Sequence, residues 1–352
     1  MRVDDFDYEL PDARIAQTPI EPRDAARLLV DRGAQVPEHR RVRDLPDLLQ
    51  TGDLVVLNET RVIPARLRLR RVSGGAVEVL LLEATDASRR QWEALVRPGG
   101  KLRVGERLLA ESDRTHPRGA PIVEMGERTA AGDTFWIDLV ADGDPLEILA
   151  ELGEMPLPPY IHQRLDDPER YQTVFASEPA SAAAPTAGLH ITPELLDRLG
   201  AAGVSMATVE LVVGLDTFQP IGTDDPRDHP MHTERYRVPR VTWEQCESTR
   251  ARGNRVVAIG TTAVRALESA AARNELAGRT DLFIHRGFDW QVVDVLMTNF
   301  HLPRTTLLMM IDAFVGPRWR ELYETALAHD YRFLSFGDAM LLDRVTAGPT
   351  TG

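Results

Sequence analysis

Between residues 65 and 140 apolar side chains alternate with polar ones in short runs, ARLRLRRV, AVEVLLLE, QWEALVR, ERLLAE and TFWIDLV, parted by turns rich in Gly, Ser and Asp. Successive side chains of a strand point to opposite faces, so this period of two predicts a small antiparallel sheet or barrel. The flanking sequence has another texture. Residues 27–30 read as a short apolar strand after a turn rich in Pro and Asp (18–24), and 53–57 read as a buried strand. A helix is expected over 145–152, ended by GEMPLPPYI, whose prolines cannot continue it.

Beyond 160 a grammar of strand, polar loop and helix repeats. The pieces are YQTVFA, the loop SAAAPTAGLHIT and the helix ITPELLDRLG; then RVVAIG and TTAVRALESAAA; then VVDVLMT and NFHLPRTTLLMMIDAF. In the first helix Thr192 is placed to cap, Pro193 takes the first helical position, Glu194 suits the positive end and Gly203 follows the stop. Strand alternating with helix implies parallel strands. The expected fold is an α/β sheet domain with an inserted antiparallel β-barrel domain: a discontinuous α/β domain over 1–62 and 151–352, and the barrel over 63–150.

Ligands of open α/β sheets sit beyond the carboxyl ends of the strands, where helix N-termini offer free N–H groups. The polar loops of this chain fall at that edge. They carry Asn58, Glu59, Thr60 and Arg61 after LVVL, Thr186 and His190 in the small-residue loop, Thr261 and Thr262 after VVAI, and Asn299 and His301 after VDVLM. Each also has a plain structural reading, as a turn former, a helix cap or a buried histidine. The small residues 182–188 either let a flat ligand approach the backbone or let helix and sheet pack closely.

Composition narrows the chemistry. One cysteine, Cys246, excludes an internal disulfide and any multi-cysteine metal site, which points to a reducing compartment, the cytoplasm by default. MRVDDFDYELP lacks the basic start and apolar run of an export signal, and the apolar run 307–315 is interrupted by Asp312 and too short to span a membrane. The net charge of −13 argues against general nucleic-acid binding, yet the segment 61–107 holds eleven basic and five acidic residues. Neither GxxxxGK[ST], GxGxxG after a strand nor GxSxG occurs, so P-loop, dinucleotide and hydrolase-elbow readings have no support.

The words YQTVFA, AAAPTAGLHIT, LVVLNETRVIPARL, GEMPLPPYI, MHTERY, AIGTTAVRALES, TNFHLPRTTLLMMIDAF and YRFLSFGDAM together resemble the S-adenosylmethionine:tRNA ribosyltransferase-isomerase family of the queuosine pathway. The resemblance runs from residue 5 to about residue 342. It implies transfer and isomerisation of the ribosyl moiety of S-adenosylmethionine onto 7-aminomethyl-7-deazaguanine at the tRNA wobble position, giving epoxyqueuosine with release of adenine and methionine. It implies an α/β domain with an inserted barrel, no metal and no cofactor beyond the consumed donor. The expected partners are that tRNA and S-adenosylmethionine, for a monomer with no membrane contact. Two other readings stay open: a non-catalytic tRNA-binding paralogue, and an S-adenosylmethionine-dependent transferase or lyase acting on a nucleoside without tRNA.

On this resemblance His190 and His301 are the candidate catalytic groups, each either removing the C5′ proton beside the sulfonium or protonating departing adenine. Pro185, Thr186, Gly188 and Leu189 would lie against a flat ring. Arg265 or Arg304 would pair with the methionine carboxylate, and Arg23, Asp24, Asn58, Thr60, Arg61, Thr261, Thr262 and Asn299 complete the substrate site. Arg66, Arg68 and Arg70 alternate along a strand, share one face and are candidates for tRNA phosphates. The chain departs from the family pattern at Val212 and Asp216, where a histidine and a glycine are usual, and at Glu59 and Gln291, so no catalytic role is carried onto residue 212.

Overall fold

The structure is a computed structural model that describes all residues except 34, 112–117, 131, 214–220, 229–230, 232 and 346–352. The chain forms two compact units: Met1–Thr60, Pro159–Glu178 and Pro185–Gly352 make the first, Arg61–Pro158 and Pro179–Ala184 the second. The first opens with β1 (Arg27–Asp31), β2 (Glu38–Arg41), α1 (Leu45–Leu48) and β3 (Leu54–Asn58). After β4 (Thr60–Val62) the second unit holds β5 (Arg66–Arg71), β6 (Ala76–Ala84), β7 (Gln91–Arg97), β8 (Arg107–Ala110), β9 (Pro121–Arg128), β10 (Phe135–Leu139), α2 (Pro145–Leu152) and β11 (Gly153–Glu154). β12 (Glu178–Ser181) pairs with β4. The chain then supplies α3 (Pro193–Ala201), β13 (Ser205–Leu211), β14 (Glu234–Arg237), α4 (Arg240–Ala251), β15 (Val256–Ile259), α5 (Thr261–Arg273), β16 (Ala277–Thr280), β17 (Val295–Asn299), α6 (Thr306–Val315), α7 (Trp319–Ala328) and β18 (Ala339–Asp343).

The second unit contains the expected antiparallel barrel. Its strands run β5-β6-β7-β10-β9-β8, all antiparallel, and β8 pairs back onto β5 to close the ring. Alternation explains it: Leu67 and Leu69 of β5 and Trp92, Ala94 and Val96 of β7 are buried, while their neighbours are not. Asp144 caps α2, accepting from the Leu146 and Glu147 amides at 2.9 and 3.3 Å, and Pro145 starts the helix. At the exit of α2 a Cβ on Gly153 would stand 1.9 Å from the Pro64 carbonyl oxygen, so only glycine fits there.

In the first unit one sheet runs β16-β14-β13-β3-β15-β17-β18-β1-β2. β13, β3, β15 and β17 are mutually parallel, and β3, β15 and β17 are buried throughout, as strands covered on both faces must be. β18 is antiparallel to β17 and parallel to β1. The carboxyl ends of β13, β3, β15 and β17 therefore share one edge with the amino ends of β18 and β1. The sheet is mixed rather than wholly parallel.

YQTVFA is not a strand: Tyr171 ends a 3-10 turn and the rest is irregular. Its apolar side chains serve as anchors, with Tyr171 fully buried and Phe175 against the core. β3 lies between β15 and β13, the latter from SMATVEL, parallel to both. Between β17 and α6, FHLPRT is likewise irregular. Arg304 sits at φ +58° and Thr305 caps α6, its hydroxyl accepting from the Leu308 amide at 3.4 Å. Among the described residues no helix is long and apolar enough to cross a membrane.

Candidate active site

At the carboxyl end of β17, Asn299 joins two of the sequence-predicted loops. Its Oδ1 accepts from the Thr186 hydroxyl at 3.0 Å, and its Nδ2 donates to the Asp338 carbonyl at 3.3 Å and lies 3.2 Å from His190 Nε2. An amide nitrogen has no lone pair to offer, so His190 Nε2 is the acceptor and the ring proton sits on Nδ1. The Arg23 backbone meets the ring by hydrogen bond. Burial lowers the His190 pKa to about 4, and the nearby Arg332 and Arg23 charges push the same way. The imidazole is neutral at pH 7.

The loop before His190 is a 3-10 turn, Thr186–His190, entered from Pro185, with Ala187, Gly188, Leu189 and His190 buried. A Cβ on Gly188 would come within 2.8 Å of the Phe175 ring and 2.9 Å of Thr173, so close packing accounts for this glycine. His190 and Leu189 line a pocket with Pro19, Ile20, Arg23, Arg170, Ser335 and Phe336 that holds about 10 Å³, room for one water and not for a nucleoside. Arg23 is part of its frame, donating to the Gln172 and Glu169 carbonyls at 2.6 and 3.0 Å. Asp24 stands 3.6 Å from Arg43.

His301 is held by its backbone. Its N–H donates to the Tyr323 hydroxyl at 3.0 Å, and the Tyr8 hydroxyl donates to its carbonyl. Nε2 is 3.3 Å from the Thr298 hydroxyl, and Nδ1 is buried with no partner among the described residues. Burial lowers its pKa to about 3 and raises those of Tyr8 and Tyr323. His301 does not border the pocket beside His190.

On the same edge Gly260 (φ +91°) turns β15 into α5, 3.6 Å from Ala187 as measured from an ideal Cβ position. Neither threonine caps this helix. Among the described residues no side chain caps it, and the buried Thr262 hydroxyl has no partner. Arg265 does not lie on a solvated helix face: its guanidinium is buried and donates from Nη1 to the equally buried Glu234. Arg304 is part-exposed and ion-paired with Asp4 at 2.6 Å and Asp7 at 3.1 Å. Asn58 bridges strand ends, its amide donating to the Leu211 carbonyl at 3.0 Å and accepting from the Leu211 amide at 3.2 Å. The Thr60 hydroxyl reaches the same carbonyl at 3.4 Å.

In the second unit Arg66, Arg68 and Arg70 do share one strand face, opposite Leu67 and Leu69. Arg68 is exposed and pairs with Glu154 at 3.0 Å; Arg66 donates to the Leu157 carbonyl at 3.4 Å. Arg61 is half-buried in β4. Of the departures, Glu59 accepts from Ser177 and Thr208 hydroxyls at 3.0 and 2.8 Å, Gln291 donates its backbone N–H to Glu268 at 3.0 Å, Val212 is buried, and Asp216 lies outside the described residues. Sequence reasoning missed Tyr8, Tyr323, Glu234 and Asp338. Asp338 carries a buried carboxylate that accepts from the Arg27 and Arg332 amides at 2.8 Å each. Among the described residues no cluster of three His, Cys, Asp or Glu side chains is placed to hold a metal.

An α/β sheet with an inserted closed barrel, with polar loops and two neutral imidazoles at the sheet's carboxyl edge, is the arrangement of an α/β protein that binds its ligand beyond the strand ends. The comparisons specify it further. The model of a family described as queuosine biosynthesis protein matches residues 3–342. An S-adenosylmethionine:tRNA ribosyltransferase-isomerase of Symbiobacterium thermophilum is 49% identical, over 97% of this chain and 100% of its own. One from Synechococcus elongatus is 48% identical, over 97% and 95%. The crystal structure of an S-adenosylmethionine tRNA ribosyltransferase from Thermotoga maritima aligns with TM-score 0.55 and 39% identity, over 96% of this chain and 99% of that one. The chain belongs to the S-adenosylmethionine:tRNA ribosyltransferase-isomerase family of queuosine biosynthesis.

Proposed function

We propose that this chain transfers and isomerises the ribosyl moiety of S-adenosylmethionine onto 7-aminomethyl-7-deazaguanine in the wobble position of tRNA, releasing adenine and methionine. The reaction class rests on family membership across nearly the whole chain. The observation that carries the site is Asn299, whose side chain draws Thr186 and His190 to the end of β17. Of the two roles open to the imidazoles, proton acceptance is favoured. With a pKa of about 4, about one His190 in a thousand is imidazolium at pH 7, so it is a poor acid for departing adenine and a neutral base for the C5′ proton.

In this reading Leu189, Arg23 and the Thr261–Thr262 helix start border the donor, and the Asn299 contact to Nε2 exchanges for the substrate proton. The 10 Å³ beside His190 opens on binding. Arg66, Arg68 and Arg70 of the barrel meet tRNA phosphates, and the enzyme works in the cytoplasm, where its tRNA is. Adenine release with and without tRNA carrying the aminomethyl-deazaguanine tests the function. Release only with tRNA supports it; release without tRNA supports a nucleoside transferase or lyase, and no release a non-catalytic paralogue.

A further inference from the structure

Arginines of this chain grip carboxylates by one edge of the guanidinium, the one between Nε and Nη2. Arg286 does so on Asp312 at 3.1 and 2.6 Å, Arg71 on Glu106 at 2.6 and 3.0 Å, and Arg255 on Asp53 at 3.2 and 2.6 Å. In Arg265 the same two atoms are buried and neither has a hydrogen-bond partner among the described residues, while Nη1 is held by Glu234. Arg265 and Glu234 are each 5% exposed. A charged donor edge sealed from water and unpaired is costly, and native structures rarely leave one without a use.

Two further features lie beside it. Thr262, three residues earlier and so on the same face of α5, has a buried hydroxyl with no partner among the described residues. The 13-residue α5 begins there with no side-chain cap, so its first N–H groups and the positive end of its dipole face the carboxyl edge of the sheet. A two-donor fork, a free hydroxyl and an uncapped helix start match a planar anion with two oxygens. The donor of the reaction above has one such group, the carboxylate of its amino-acid arm; adenine and ribose carry none and the sulfonium is cationic. Arg304, the other candidate, is already ion-paired with Asp4 and Asp7.

We propose that Arg265 and Thr262 receive the carboxylate of the sulfonium donor, and that Glu234 is a positioning residue. By holding Nη1, Glu234 fixes the plane of the guanidinium and keeps the Nε–Nη2 edge for the ligand. It also cancels the Arg265 charge, so the bound carboxylate is balanced by the helix end and by the donor's own ammonium and sulfonium. The edge has no solvent access, so the carboxylate enters through a local opening at the start of α5. This inference rests on the reading of the donor as S-adenosylmethionine.

The test is calorimetric binding of S-adenosylmethionine and of decarboxylated S-adenosylmethionine, which needs no turnover. The wild-type protein should prefer the carboxylate-bearing donor by about tenfold to a hundredfold. Arg265→Lys, which keeps the charge and loses the fork, should bring the two donors within about threefold while binding the decarboxylated one normally. Glu234→Ala, which leaves Nη1 unheld, should weaken the preference, and Glu234→Gln, whose amide oxygen can still accept from Nη1, should keep most of it. Thr262→Val, a mild change, should weaken the preference and decides the matter where Arg265→Lys does not fold. Equal wild-type affinity for the two donors, or full preference retained in both Arg265→Lys and Thr262→Val, overturns the proposal. Preference present without any adenine release would leave it standing and remove the reaction instead.

Discussion

Replacing His190 by Gln tests whether the imidazole at the end of the 3-10 turn is truly held neutral. In the folded chain its pKa falls from 6.5 to about 4 because burial disfavours the charged form. Between those values the unfolded chain binds the proton and the folded chain does not. Stability contributed by this group is complete above pH 6.5 and is lost as pH falls towards 4. From pH 8 to pH 5 the unfolded imidazole passes about 1.5 units below its pKa, which at ~1.36 kcal/mol per unit removes about 2 kcal/mol. That figure hardly depends on the folded value, so long as the folded value stays well below 5.

Gln keeps a polar partner for Asn299 and cannot titrate. Guanidinium unfolding followed by circular dichroism, for wild type and His190→Gln at pH 8 and pH 5, should show the wild type losing about 2 kcal/mol more than the variant. Titrations elsewhere cancel in the comparison. Parallel losses would mean that His190 charges freely in the folded protein, and the assignment of a buried neutral base would fail with it.

Further outcomes follow from particular contacts. Asn299→Leu removes the link between Thr186 and His190 and should lower the adenine-release rate by about a hundredfold, with far-UV circular dichroism unchanged, because misplacing a general base costs catalysis of that order. Tyr8→Phe deletes the hydroxyl that donates to the His301 carbonyl and should destabilise the first unit by about 1–3 kcal/mol, read as a lower denaturation midpoint. Glu268→Leu leaves the buried N–H groups of Val292 and Val293, and the part-buried one of Gln291, without their acceptor and should cost about 3 kcal/mol or more in the same assay. Gly153→Ala, with its Cβ 1.9 Å from the Pro64 oxygen, should yield little folded protein on expression.

What sequence could show depended on how local the cause was. Barrel strands such as β5 and β7 announce themselves because each residue's face follows from its neighbour two positions away. β15 and the start of α5 were legible for a similar reason, an apolar run ending on a glycine and two threonines. YQTVFA misled because its aromatic and β-branched residues have strand propensity, yet Tyr171 and Phe175 are anchors of an irregular segment. Placement of His190 and Asn299 at one edge could be anticipated from strand ends, but their hydrogen bond could not. The Arg265–Glu234 pair joins a helix to β14 across the sheet, and nothing in either segment names the other. The loops' double readings also divided residue by residue: Asn58 ties β3 to β13 and Gly188 packs on Phe175, whereas Thr262 does not cap its helix.

Adenine released from S-adenosylmethionine in the presence of tRNA bearing the aminomethyl base is the most direct measure of whether the sheet's carboxyl edge performs ribosyl transfer, compared among wild type, His190→Gln and His301→Gln. The account predicts tRNA-dependent release in the wild type and a fall of about a hundredfold or more in at least one variant. Undiminished release in both variants would contradict it.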